Sequence, residues 1–88
     1  MSKIKTTKRD LISSLVARAL RNKRQEKGIS MQRLAEQAGL STSMISLMER
    51  DLRNPTLDTL LRISDALEVD LSRVIQKATT EACRSNRT

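Results

Sequence analysis

Residues 30–50, SMQRLAEQAGLSTSMISLMER, constrain the fold more than any other part of the chain. The run spells two short helices and the turn between them. Leu34, Ala35 and Ala38 recur at helical spacing, and Gly39 then stops the first helix. Ser41 is placed to cap the second, and Ile45 and Met48 on it face back toward the first. Two helices packed in this order leave the outer side of the second open, free to enter a DNA groove.

The flanking segments extend the same logic. Thr7 and Asp10 have the spacing of a capping box, and a helix runs from there to about residue 27, where Gly28 ends it. Its apolar stripe is Ile12, Leu15, Val16 and Ala19, with Leu11 and Leu20 at the margins. Ser30 caps the next helix, residues 31–38, and the one after covers residues 42–50. Leu52, Arg53, Asn54 and Pro55 form a loop, since Pro55 drives its predecessor out of helical geometry. Thr56 caps a fourth helix whose inward face is Leu57, Leu60, Ile63, Ser64 and Leu67. Asp70 caps a fifth, with Leu71, Val74, Ile75 and Ala78 apolar. Residues 79–88 are polar and expected to fray. No alternating segment supports a strand. The fold class is therefore all-α, a compact bundle of five helices containing a helix-turn-helix. A chain of 88 residues suits one small domain. It divides into a basic arm (1–8), the helical domain (9–78) and a polar tail (79–88).

Composition removes whole classes of function. The chain has no Phe, Tyr or Trp, so unpaired bases have no aromatic platform on which to stack. It has no His and a single Cys, Cys83, so neither a zinc site nor a nucleophile–His pair is expected. No metal, cofactor or small-molecule ligand is expected, and no enzymatic activity. The lone thiol supports no disulfide within one chain and fits a reducing compartment. No stretch is apolar enough to span a bilayer or to act as a signal peptide, which points to a cytoplasmic protein with no membrane partner. The net charge of +7 is unevenly placed: residues 1–27 hold nine basic side chains against two acids, and the remainder is balanced. That excess suits a polyanion, the plain alternative being a solvated basic end. Beside a helix-turn-helix pattern the polyanion is the better reading.

Several of these residues also carry a family resemblance. Arg24, Gly28-Ile29-Ser30, Leu34-Ala35, Gly39-Leu40-Ser41, Ile45-Ser46, Met48-Glu49 and Arg53-Asn54-Pro55-Thr56-Leu57 stand together with Leu60, Ile63 and Ala66-Leu67. Jointly they resemble the lambda-repressor-like, or XRE (Cro/CI-type), helix-turn-helix proteins over about residues 18–76. The resemblance implies a lambda-repressor-like bundle and a transcriptional regulator that binds operator DNA as a homodimer. Small stand-alone members include phage repressors, restriction–modification controller proteins and antitoxins. It also implies an ion pair between Arg24 and Glu49, tying the first helix to the end of the third. Two positions depart from the family pattern. Met31 stands where the family usually has a phosphate-binding Gln, with Gln32 one place later, and Asp51 stands where it commonly has Gly.

Laid out at 100° per residue, helix 42–50 points Ser41, Ile45 and Met48 inward. Thr42, Ser43, Ser46, Leu47 and Arg50 face outward, and these are the candidate base contacts. None of the first four carries the two-pronged group that discriminates guanine or adenine; Leu47, with Met44 at the flank, can pack on thymine methyls. Side-chain readout is therefore expected to be thin, with specificity leaning on DNA deformability and half-site spacing. Arg50 is long enough to reach a guanine or a phosphate. Gln32, Arg33, Arg53 and Asn54 are the candidate phosphate contacts. Lys3, Lys5 and Lys8 either embrace the duplex as an arm or remain a free tail. Leu11, Ile12, Leu15, Leu71, Ile75 and Ala78 are the candidate homodimer interface, unless the first and fifth helices cover each other within one chain. The favoured function is a double-stranded-DNA-binding transcriptional regulator, a repressor or autoregulator. An antitoxin that chiefly binds a protein is the alternative, and an architectural factor with little sequence preference a third.

Overall fold

A computed structural model describes residues 7–85, which form α1 (Lys8–Glu26), α2 (Met31–Ala38), α3 (Thr42–Glu49), α4 (Leu57–Leu67) and α5 (Leu71–Ser85), with no strand among them. The starts follow from the capping residues. Thr7, Ser30, Ser41 and Thr56 each accept, on the side-chain oxygen, the backbone N–H three residues on, at 3.0–3.1 Å. Each bond satisfies a donor the helix itself leaves unpaired. At the head of α5 the Asp70 carboxylate accepts from the Ser72 N–H at 3.0 Å and from its hydroxyl at 2.6 Å. Those bonds, the hydroxyl's foremost, hold the Asp70 carboxyl below the usual carboxylate range.

The first four helices stop in one way. A left-handed residue and its successor turn their N–H groups back onto the last helical carbonyls. Gly28 and Ile29 bond to Gln25 and Arg24, and Gly39 and Leu40 to Glu36 and Ala35. Asp51 and Leu52 bond to Met48 and Leu47, and Glu68 and Val69 to Asp65 and Ser64. Glycine enters this region without a Cβ penalty, and both glycines of the chain are used there. Asp51 and Glu68 do so at φ 60° against that penalty.

Leu20, Leu34, Ile45, Met48, Ile63 and Leu67 are fully buried at the centre. They join α1, α2, α3 and α4 in one core, which α5, packed along α1, completes with Leu71 and Ala78. The stripe on α1 is centred differently from the sequence expectation. Val16, Ala17 and Leu20 are buried, and Ile12, Leu15 and Ala19 are half-buried, because α1 is covered from two sides. Leu57, expected inside, is 63% exposed. It lies in the first turn of α4, about a quarter-turn from the line through Ile63 and Leu67, and Thr59 is buried in its stead.

The tail expected from residue 79 is helical as far as Ser85. Ala82 is completely buried. The hydroxyls of Thr79 and Thr80 bond to the carbonyls of Ile75 and Gln76, so these polar residues satisfy themselves within the helix. Lys3 and Lys5 of the expected basic arm lie outside the described residues.

Candidate nucleic-acid interface

The turn between α2 and α3 sets the direction of α3. Gly39 holds φ 70°, and a Cβ on it would come within 3.1 Å of the Arg62 guanidinium from α4. The backbone there needs glycine, and Arg62, held by Asp58 at 2.9 Å, closes over the turn. Ile45 and Met48 then fix the inner side of α3, at 0% and 1% exposure. Thr42, Ser43 and Arg50 are exposed, and Ser46 and Leu47 half-buried. The hydroxyl-bearing side of α3 is thus open to solvent, with a flank of partly covered residues. Ser41, expected to face inward, is exposed: its oxygen is used on the Met44 N–H, at the surface.

Behind this face Arg24 and Glu49 meet in two parallel bonds. Nε reaches one carboxylate oxygen at 2.7 Å and Nη2 the other at 3.0 Å. Arg24 Nη1 also donates to the Ile29 carbonyl at 2.7 Å. Both side chains are nearly dry, at 10% and 2% exposure. One guanidinium therefore joins the end of α1, the start of the loop before α2 and the end of α3. Such a planar fork suits a bidentate carboxylate and a carbonyl together, which a lysine could not match. A second tie lies further along α1, where the Ser14 hydroxyl donates to the Asp51 carboxylate at 2.8 Å. Sequence reading did not single out Ser14; serine and aspartate are too common on surfaces for such a pair to show.

The candidate phosphate contacts Gln32 and Arg33 are exposed in the first turn of α2, and Arg53 and Asn54 in the loop after α3. Met31, at the departure from the family pattern, is half-buried and packs on the core, which leaves the surface of that turn to Gln32 and Arg33. The candidate dimer residues are divided. Leu71 and Ala78 are buried in the subunit's own core, at 7% and 4% exposure, so they are not available to a second copy. They were misplaced because α5 packs on α1 within the chain. Ile12, Leu15 and Ile75 are half-buried against the core, and Leu11 is half-exposed. Among the described residues, the large exposed apolar side chains are instead Leu52, Leu57 and Leu61, at 58%, 63% and 51%. Leu57 and Leu61 are one turn apart on α4, and Leu61 borders an open groove whose apolar lining includes Val69 and Ile75.

Among the described residues no group of His, Cys, Asp and Glu could hold a metal ion, and no helix is long and apolar enough to cross a membrane.

A family model described as helix-turn-helix (HTH_3) matches residues 20–74, well over half of the chain. The chain belongs to this XRE-type family. Among related proteins, the Escherichia coli HTH-type transcriptional regulator SutR is 36% identical over 64 residues, covering 73% of this chain and 36% of SutR. The Bacillus subtilis regulator SinR is 35% identical over 64 residues, covering 72% of this chain and 58% of SinR. The chain thus spans between about a third and three-fifths of these relatives' lengths. Among solved structures, the clp gene regulator ClgR from Corynebacterium glutamicum superposes with a TM-score of 0.74 at 25% identity, covering 85% of this chain and 80% of that one. The restriction–modification controller protein C.Esp1396I, solved as a tetramer with its natural 35-base-pair operator, superposes with a TM-score of 0.70 at 32% identity, covering 83% of this chain and 95% of that one. The fold is one this chain shares with these two solved proteins.

Proposed function

We propose that this protein is a transcriptional regulator that binds double-stranded DNA as a homodimer on a two-fold symmetric operator, as a repressor or autoregulator, in the cytoplasm. The observation that carries this reading is the open side of α3 above a rigidly anchored inner side. Thr42, Ser43, Ser46 and Leu47 are the proposed base contacts, with Arg50 at the far end of the helix reaching a guanine or a phosphate. Gln32, Arg33, Arg53 and Asn54 flank them as phosphate contacts, and the N-termini of α2 and α3 add backbone donors. The relatives' names as transcriptional regulators and the operator bound by the controller protein support the same reading.

One α3 reads only a few base pairs, so a second copy is needed for a full operator. Of the residues expected at the subunit interface, Leu11, Ile12, Leu15 and Ile75 remain available. Leu57 and Leu61 are the stronger additions, because apolar side chains this exposed and this close mark a contact surface. We place the second copy on the outer side of α4 beside Ile75.

Selection of bound duplexes from a random pool tests the function. The expected result is a motif of two inverted half-sites whose centres lie one helical turn, about 34 Å, or a small multiple of it apart. Equal recovery of all sequences would replace the regulator with an architectural protein, and recovery of none would remove DNA from the account.

A further inference from the structure

Helices α3 and α4 end on the same left-handed turn, and neither has the glycine that such a turn favours. Glu68, at the end of α4, has an 84% exposed side chain and only a 3.7 Å approach to Lys27. Asp51, at the end of α3, is different. Its carboxylate is half-buried and takes the Ser14 hydroxyl at 2.8 Å. Ser14 lies on the part of α1 that precedes the segment matched by the family model. The α1 extension therefore reaches back to the recognition helix at the one residue that follows its C-cap.

The consequence is a two-point attachment. Arg24 holds Glu49, and Ser14, about three turns nearer the N-terminus of α1, holds Asp51. Arg50, exposed between these two carboxylates, is the long cation of the proposed DNA face. Ile45, Met48 and Glu49 fix the inner side of α3, and the Asp51 bond extends that hold past the C-cap to the exit of the chain.

We infer that Ser14 and Asp51 form a latch by which α1 fixes the C-terminal end of α3, making both of them positioning residues for DNA reading. They touch no DNA themselves in this scheme. A glycine in place of Asp51 would fit the backbone but could not accept the Ser14 hydroxyl. The inference rests on the proposed DNA-binding role, and its test separates the two.

Ser14→Ala, Asp51→Gly, the double variant and a Glu68→Gly control are compared in two measurements. The first is hydrogen exchange at the Asp51 and Leu52 amides, whose bonds to Met48 and Leu47 close the turn. The second is the ratio of affinities for the duplex selected by the wild type and for a scrambled duplex of equal length. Ser14→Ala is expected to speed exchange at both amides about tenfold and to lower the affinity ratio about tenfold, the range of a hydrogen bond to a charged group. Asp51→Gly loses the same bond but sheds the left-handed strain, so it should lower the affinity ratio as far while speeding exchange less; the double variant should match Asp51→Gly, and Glu68→Gly should change neither reading. Unchanged exchange in Ser14→Ala would overturn the latch. Faster exchange with an unchanged affinity ratio would overturn its positioning role. Faster exchange in a protein that selects no duplex would leave the latch standing and remove the DNA reading it serves.

Discussion

Arg24 ties α3 to the rest of the bundle. Its guanidinium is committed to Glu49 and to the Ile29 carbonyl, and Glu49 has a side chain only 2% exposed. Arg24→Ala leaves that carboxylate dry and unpaired, a loss of about 3–5 kcal/mol and a large part of the stability of so small a domain. Thermal melting is expected to show it as a fall in Tm far larger than that of Arg62→Ala, whose exposed pair with Asp58 is worth less than about 1 kcal/mol. If the two variants melt alike, the buried pair does not carry the weight given to it here. Legibility at this scale was uneven. Arg24 and Glu49 are far apart in sequence, and only the family resemblance brought them together. Ser14 and Asp51 gave no such signal, although Asp51 stands where the family commonly has glycine. The hydroxyl face of α3, by contrast, followed from helical geometry once Ile45 and Met48 were placed inside.

At the scale of the helices, starts were easier to read than stops. A Ser or Thr followed by a free backbone N–H three residues on has one favourable use, and Thr7, Ser30, Ser41 and Thr56 all serve it. Gly28 and Gly39 were legible as stops for the same kind of reason. Glu68 was not, since a glutamate side chain carries no preference for the left-handed region that would mark the stop. The true length of α5 was hidden because Thr79, Thr80 and Glu81 read as tail, while the residue that anchors the last turns is a single small one, Ala82. The cap of α5 makes a testable case. Asp70 has its carboxyl lowered by the Ser72 hydroxyl and N–H, so the folded state favours the ionised form. Its contribution is complete above the ordinary carboxylate value of 3.8 and is lost as pH falls from there through the lowered one. Asp70→Ala is therefore expected to melt below the wild type at neutral pH, with the gap closing in acid. A gap that persists unchanged into strong acid would mean that ionisation of Asp70 plays no part in the cap.

At the scale of the whole molecule, the all-α bundle was legible because its five amphipathic segments are separated by short, well-punctuated turns. Which apolar residues were left for a partner was not. A core this small needs both α1 and α5, so Leu71 and Ala78 are consumed internally and the surplus appears on α4 as Leu57 and Leu61. Sequence periodicity shows that a face is apolar; it does not show which neighbour covers it. Charge was easier to read: the net +7 traces to residues 1–27, and Lys8, Arg9, Arg18 and Arg21 are exposed along α1. Contact between the open side of α3 and duplex DNA is read out by mapping backbone amide shifts as the pool-selected duplex is added. The largest changes are expected at Thr42, Ser43, Ser46 and Leu47, with Gln32 and Arg33 next and the C-terminal half of α5 unmoved. Changes gathered on α4 and α5, with residues 42–47 unaltered, would contradict that contact.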